Sequence, residues 1–447
     1  MSAPGRASTW TGPIRGARID PPGALAIAIA AALTALSSPA AAQRPALADE
    51  KTSGVPGGQV LVHYATSGSD AAPTADANTN GVPDFVDEVA ATAELAIQRY
   101  AALGFRRPLD DGARGSDSRI DIYLRNLNAS DGNAGTDACT ANHCIGFVAA
   151  ENDYAGYAYP TVTEGIRSVI PHELFHLVQD AYSNGQSTTW TEGSAVWATE
   201  NLYGDGNSDF ERFLPSFVTR SFRPFERAIG GFGDGYPYGA ALWPYFLEQR
   251  YGVDVVVATW AACETAAFLD ATDSVFARAG GSLDEAWAEF TRWNLFTGPR
   301  AARGMYPKAG TWPVVPRETA IVDRGTIYIE GLSARYVPIA ITQRSRVAVS
   351  TAAAIKLAAW IVADDQSLAD GITLAADGPA LSANLDPGPY TLVITGLTRN
   401  SIATAVDVAI GPPEEPGGGS CSSTRSPPAA LLLAFAWLVV VQNTRRR

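Results

Sequence analysis

The sequence predicts an α+β domain, with a mixed sheet and a helical lower lobe, over residues 43–300, followed by an all-β sandwich over residues 305–411. Strand-like runs and helical patterns alternate in the first segment, and aromatic-rich helical patterns dominate residues 210–298. From about residue 305, short alternating runs recur between turn residues, which is typical of a sandwich. A chain of 447 residues has room for two or three domains.

Composition excludes some classes of function. The charged fraction of 18% and the hydrophobic fraction of 46% are those of an ordinary globular protein. The formal net charge is −13, and no basic patch interleaved with aromatic residues occurs in the sequence. We therefore expect no nucleic-acid partner.

Residues 1–42 predict a secretory signal peptide. The apolar run at 24–36 is too short to span a bilayer comfortably, and small residues follow it up to Ala42. Positive charge precedes the run, as export signals require, at Arg6, Arg15 and Arg18. We expect cleavage after Ala42 and hence an exported protein.

Three stretches of the first domain predict strands, at 57–66, 118–124 and 146–150. The first is expected at the edge of the mature fold. His63 lies in it, and a lone strand histidine is more often a packed or surface residue than a ligand. We assign His63 no role.

The loop at 76–87 has the ligand spacing of an EF-hand-like calcium site. Oxygen-bearing side chains occupy positions 1, 3, 5, 9 and 12, glycine is at 6, and the carbonyl of position 7 is available. The ligand positions are Asp76, Asn78, Asn80, Val82, Asp84 and Asp87. Asp87 departs from the usual bidentate Glu. We expect a structural calcium clamp, and the alternative is a turn that caps a helix at 86–102.

A polar stretch at 126–143 predicts a loop, with Cys139 inside it and Cys144 just beyond its end. In an exported protein, two cysteines this close in sequence predict a local disulfide. A zinc site that includes His143 is the weaker interpretation, because no second cysteine pair completes it.

The segment at 168–197 contains H-E-L-F-H at positions 172–176. On a helix, His172 and His176 lie one turn apart on the same face, which suits a shared metal ion. Glu173, next to the first ligand, can act as a general base. Pro171 suits the first turn of this helix, because its missing N–H would be unbonded there.

A catalytic zinc usually has three protein ligands, so a third must be found. Glu192, in the sequence T-E-G-S-A on a second helix after a turn, is the best candidate. Glu200, about two turns further along, is a rival or a partner that supports the ligands.

The sequence thus predicts a helix with H-E-x-x-H, a turn and a second helix with E-G-x-A. This arrangement resembles the gluzincin metallopeptidases. The resemblance covers residues 56–300 loosely. It implies a zincin-like catalytic domain, a zinc site of His172, His176 and Glu192 with Glu173 as general base, and a substrate-binding edge strand at 146–150. Tyr238 is a candidate to stabilise the oxyanion, although the favoured interpretation is that it is one aromatic among many in a packed lobe.

The C-terminal end predicts surface display. Residues 412–420 form a Pro/Gly-rich linker, and Cys421, a short apolar run at 429–441 and three terminal arginines follow it. This arrangement resembles the sorting signals of myxobacterial surface proteins. The resemblance implies processing near Cys421 and display at the cell envelope.

The sequence thus predicts an exported zinc metallopeptidase, an endopeptidase acting on peptides or proteins, with Zn²⁺ and Ca²⁺ as bound metals. The alternative is a non-proteolytic cell-surface adhesin or binding protein with structural metal sites. A structural zinc site would fill all four positions with protein ligands, and His143 is the histidine best placed to be the fourth.

Overall fold

The structure, a computed structural model, describes residues 43–128, 130–204, 208–227, 234–399 and 402–413. The predicted signal peptide with its cleavage at Ala42, most of the linker and the C-terminal segment with Cys421 lie outside these residues. Within the described ranges, no helix is both long enough and apolar enough to cross a membrane.

The first part of the chain is built on a five-stranded mixed sheet with the order β1-β2-β3-β5-β4. The central strands β2, β3 and β5 are parallel, and β1 and β4 pair antiparallel to their neighbours. The strands are β1 Lys51–Ser53, β2 Val60–Tyr64, β3 Ile120–Arg125, β4 Gly132–Thr140 and β5 His143–Glu151.

Three sequence predictions about this sheet are wrong. The stretch at 126–143 is not a continuous loop, because it contains β4. Its glycine, asparagine and aspartate residues disfavour strands, and pairing with β5 holds them extended. The stretch at 146–150 belongs to β5, which pairs with β3 on one side and β4 on the other, so β4 is the edge strand instead. At the opposite side, β1 lies outside β2, so residues 57–66 are not at the edge.

Nine α-helices occur in the described ranges, and most of them form the lobe below the sheet. They are α1 Asp84–Ala102, α2 Val162–Asp180, α3 Thr188–Tyr203, α4 Ser208–Val218, α5 Tyr236–Gly239, α6 Leu242–Tyr251, α7 Val253–Ala262, α8 Phe268–Arg278 and α9 Leu283–Asn294. Helices α5 and α6 are separated at Ala240 and Ala241.

Helix α2 begins earlier than the sequence predicts. Thr161 caps its first turn by accepting a hydrogen bond from the Glu164 backbone N–H at 3.1 Å. Pro171 is therefore in the middle of the helix, not in its first turn. The Tyr100 hydroxyl donates to the Pro171 carbonyl at 2.9 Å, which ties this point of α2 to α1.

One face of the sheet packs on α1 and α2. Alternate strand side chains share a core with apolar residues of both helices: Val60, Val62, Ile122, Leu124 and Val148. Phe175 of α2 is fully buried, with ring centroids 5.0 Å from Tyr100 and 5.1 Å from Phe105. Burying such a side chain contributes roughly 1.5–3 kcal/mol, so Phe175 holds α2 firmly against α1.

The β-sandwich prediction is confirmed at the level of two antiparallel sheets, with the orders β10-β9-β13-β7 and β11-β12-β8-β14-β6. The strands are β6 Arg324–Ile329, β7 Ala334–Ile341, β8 Ser345–Ser350, β9 Leu357–Ala363, β10 Ile372–Thr373, β11 Ala375–Asp377, β12 Ala380–Leu385, β13 Gly388–Gly396 and β14 Thr404–Gly411. Residues 320–322 belong to none of these strands and contribute only an isolated bridge from Ile321 to Ile339.

The outer face of one sandwich sheet packs on the helical lobe. Trp360, Val362 and Val393 belong to the same core as the helices. The Tyr336 hydroxyl donates to the Thr291 carbonyl of α9 at 2.8 Å. The sandwich is therefore in direct contact with the helices of the first part.

The other face of the five-stranded sheet carries a buried ionic cluster under the N-terminal segment. Arg44 pairs with Asp111, Asp121 and Asp137. His63 lies between Glu50 (2.6 Å) and Asp121 (2.8 Å). Because carboxylates only accept hydrogen bonds, both ring nitrogens carry protons. Burial alone would lower the pKa of His63, but its two carboxylate partners outweigh burial and raise it.

The His63 cluster predicts a pH-dependent stability. A raised folded-state pKa means that the stabilisation is complete below the unfolded value of 6.5 and is lost as pH rises through the folded value. The midpoint of thermal unfolding of the wild type, measured relative to a His63→Gln variant, should therefore fall as pH increases from 6. A difference that stays constant with pH would show that the pKa of His63 is the same in the folded and unfolded states.

Candidate metal centre

Three side-chain atoms of α2 and α3 converge on one point. The Nε2 atoms of His172 and His176 are 3.1 Å apart, and Glu192 Oε2 is 3.1 Å from the first and 3.6 Å from the second. Ligand atoms 2.0–2.1 Å from a tetrahedral zinc lie ~3.3 Å from one another. The donor set and its spacing therefore fit a zinc ion.

Local helix geometry places the two histidines. Because they are four residues apart on α2, their rings project from successive turns, with centroids 4.8 Å apart and planes at 82°. Glu192 comes from the first turns of α3. Gly193 lets this helix approach the break after α5, since a Cβ there would be 3.0 Å from the Ala240 carbonyl carbon.

Electrostatics also favour a cation at this point. Burial opposes protonation of His176, but the Glu192 carboxylate overcomes it and raises the pKa of His176 to about 10. Burial likewise opposes ionisation of Glu192, but the two histidines hold its pKa far below the ordinary value. A buried carboxylate here requires a positive charge beside it, which a proton supplies in a metal-free site and a divalent ion could supply instead.

Glu173 lies next to the convergent atoms. One polar atom from each of His172, Glu173 and His176 lies within 4.8 Å of the others. The Glu173 side chain is only 8% exposed and packs against the start of β4, where a Cβ on Gly132 would be 2.9 Å from its Cγ. Burial raises the pKa of Glu173, although both histidines oppose the shift.

Tyr238 lies over the same site. Its ring stacks on His172 with centroids 5.8 Å apart and planes at 22°, and Phe213 of α4 supports it at 4.8 Å. Burial raises the pKa of Tyr238, and the carboxylates of Glu192 and Glu173 raise it further. The phenol therefore keeps its proton and can donate a hydrogen bond at neutral pH.

Glu200 does not join the cluster. It is eight residues beyond Glu192 on α3, which corresponds to about 12 Å along the helix axis. A carboxylate that far along cannot reach an ion held by His172 and His176. The geometry therefore brings Glu192, and not Glu200, to the histidines.

The predicted calcium loop forms a closed turn. Asn78 and Asn80 side-chain amides lie 3.0 and 2.8 Å from Asp87 Oδ2, and Asp76 accepts from the Asn80 and Gly81 backbones. Two further positions of the predicted loop also make hydrogen bonds within the protein. Asp84 begins α1 and accepts from the Ala77 N–H, and the Val82 N–H donates to Asn80 Oδ1.

The disulfide between Cys139 and Cys144 is confirmed, and it joins β4 to β5 near the tip of their hairpin. The tip is attached to the end of α2. The Asn184 N–H donates to the Asn142 carbonyl at 2.7 Å, and His143 Nδ1 donates to the Ala181 carbonyl at 3.1 Å. His143 is thus bonded to backbone and is not part of the histidine–carboxylate cluster.

Some residues near the site have no strong signal in the sequence. Gln179 contacts His176, and its position three residues later on the same helix face could have suggested it. Asp131, which accepts from the Tyr159 hydroxyl at 2.6 Å, precedes the edge strand β4. Its position depends on the sheet order, which no local pattern predicts.

Comparisons with known proteins identify no family for this chain. No protein-family model and no curated protein matches it. The pre-peptidase C-terminal domain of a collagenase from Bacillus anthracis is 18% identical, over 21% of this chain and 96% of that domain, with a TM-score of 0.18. PliG, a periplasmic inhibitor of g-type lysozyme from Salmonella Typhimurium, is 16% identical, over 21% of this chain and 98% of its own, with a TM-score of 0.16. Scores this low support no statement about this chain.

Proposed function

We propose that this protein is an exported zinc-dependent endopeptidase with a zincin-like catalytic domain of the gluzincin type. The observation that carries the proposal is the convergence of His172 Nε2, His176 Nε2 and Glu192 Oε2 at zinc-ligand spacing, with the Glu173 carboxylate beside them.

His172, His176 and Glu192 would hold the metal. Bound there, zinc would polarise the scissile carbonyl and make a water molecule acidic enough to lose a proton near neutral pH. Glu173 takes that proton and passes it to the leaving amine. Its burial supports this role, because burial raises the pKa of Glu173 and so makes its carboxylate a stronger base.

Tyr238 donates a hydrogen bond to the oxygen that becomes negative as the tetrahedral centre forms. Its place over His172 and its retained proton support this assignment. The peptide backbone aligns along β4, which has a strand partner on one side only among the described residues. Gly132 at the start of β4 brings this edge next to Glu173.

The position of His143 favours a catalytic site over a structural one. A non-proteolytic adhesin with a structural zinc would fill the last position with protein. His143, the candidate for that position, bonds to the Ala181 carbonyl instead.

The loop at 76–87 would hold calcium as a structural clamp at the start of α1, away from the chemistry. Export and display at the cell envelope complete the proposal.

Glu173→Gln is expected to keep zinc but lose hydrolysis. The amide preserves size and packing but cannot take a proton from water, so cleavage of an unfolded protein substrate should fall by ~10²–10⁴-fold. Metal content by atomic absorption and peptide release measure the two effects. Glu211→Gln, an exposed change on α4, serves as the control. If zinc-loaded wild type cleaves no member of a broad peptide library, the binding-protein alternative is correct.

Glu192→Ala is expected to lower zinc occupancy much more than Glu200→Ala. Glu192→Ala removes a ligand oxygen and leaves two imidazoles to hold the metal. Glu200→Ala changes a residue that is two helical turns away from Glu192. Dialysis against a weak chelator, followed by metal analysis of both variants, tests the order. The reverse order would mean that Glu192 is not the third ligand.

Calcium is expected to raise the thermal unfolding midpoint of the wild type but not of Asp76→Ala. At a hundredfold excess over the dissociation constant, a bound ion stabilises the folded state by about 2.7 kcal/mol. Asp110→Ala is a matched control, since Asp110 accepts a similar short-range bond from the Gly112 N–H. An equal calcium response in all three proteins would rule out this loop as the site.

A further inference from the structure

Gln179 links the two helices that carry the candidate metal ligands. It lies on α2, three residues after His176, and is only 3% exposed. Its Oε1 is 2.9 Å from His176 Nδ1. Its Nε2 is 2.8 Å from the Thr191 carbonyl and 3.2 Å from Ser194 Oγ, both on α3.

The α3 partners permit only one orientation of the Gln179 amide. A backbone carbonyl can only accept, so the group facing Thr191 must be the NH₂. The Ser194 hydroxyl gives its own proton to the Trp190 carbonyl at 2.7 Å, which leaves its oxygen to accept the second amide proton. The same oxygen also lies 3.3 Å from Trp260 Nε1. Both amide protons therefore have acceptors on the α3 side, and Oε1 must face His176.

This orientation determines which nitrogen of His176 carries the proton. Because Oε1 can only accept, His176 Nδ1 must be the donor. In the neutral imidazole the other nitrogen, Nε2, then has a free lone pair. Nε2 is the atom that lies 3.1 Å from His172 Nε2 and 3.6 Å from Glu192 Oε2. A metal ion can bind only to such an unprotonated nitrogen.

We propose that Gln179 is a positioning residue. The Thr191 carbonyl determines the orientation of the Gln179 amide, and the amide oxygen in turn holds His176 in the tautomer that binds metal through Nε2. The inference rests on the proposed function in so far as it assumes a metal at this site. It assigns Gln179 no contact with the metal or the substrate.

The competing explanation is that Gln179 only holds α2 and α3 together. Gln186 provides a matched comparison, because its Nε2 donates to Ser183 Oγ, the Cys263 carbonyl and the Ala266 carbonyl at 3.0–3.2 Å. It ties the turn after α2 to the helical lobe without touching an imidazole. A purely structural amide should behave alike at both positions.

Two substitutions at Gln179 separate the roles. Gln179→Met removes both the bond to His176 and the bonds to α3. Gln179→Glu keeps an acceptor for His176 Nδ1 but gives up both donors to α3, so it is expected to lower the unfolding midpoint while preserving the tautomer. Gln186→Met is the control for the loss of buried amide bonds.

The zinc dissociation constant of the mature protein, measured by competition with a chromophoric chelator, is the first readout. We expect Gln179→Met to weaken zinc binding by about 10–100-fold, and Gln179→Glu and Gln186→Met to bind as the wild type does. The second readout is the Nδ1–H proton resonance of His176 in the zinc-loaded, ¹⁵N-labelled protein. It should be protected from exchange in the wild type and in Gln179→Glu, and lost in Gln179→Met.

Equal zinc affinity in Gln179→Met and wild type would overturn the inference and leave the proposed function intact. Equal weakening in Gln179→Glu and Gln179→Met would also overturn it, because affinity would then follow the helix contact and not the acceptor. Zinc-loaded wild type that cleaves no peptide would overturn the proposed function alone, since the affinity comparison needs no hydrolysis.

Discussion

The contact between α2 and α3 is the constraint on which the rest of the first domain depends. It brings two imidazoles and a carboxylate, with side-chain exposures of 9%, 18% and 19%, within 3.1–3.6 Å of one another. Isolated charges in such a position cost several kcal/mol, and they persist only where geometry and pairing compensate. The elements around this contact serve to hold it: Phe175 fixes α2 to α1, Gly193 lets α3 approach α5, and Gln179 joins the two helices.

The sheet is attached directly to the helix that carries the two histidines. The disulfide-closed tip of the β4–β5 hairpin bonds to the end of α2 through Asn142 and His143, which keeps the edge strand in a fixed relation to Glu173. The sandwich packs on a later helix, α9, through Tyr336 and Trp360. The candidate site is therefore supported by the sheet and by packed helices, which is what a preorganised site requires.

Short-range chemistry explains which site residues could be predicted. His172 and His176 face the same way because four residues make one helical turn, and Cys139 and Cys144 can pair because the chain between them is short. The predicted helix start at Pro171 is wrong, since α2 begins at Val162. Proline favours the first turn of a helix, but the buried contacts of α2 outweigh that preference. The edge strand β4 could not be predicted, because its weak strand formers are extended only by pairing with β5.

The sequence by itself determined the local groupings: the histidine pair with Glu173, the oxygen-rich loop at 76–87, the disulfide and the alternating strands of the sandwich. Each of these depends on the period of a helix, a turn or a strand, which acts over a few residues. Only the tertiary structure decided that Glu192 rather than Glu200 meets the histidines, that Tyr238 stacks on His172 and that Gln179 joins His176 to α3. These choices depend on how separate elements pack, and packing is set by the summed burial of many side chains, which no local pattern contains.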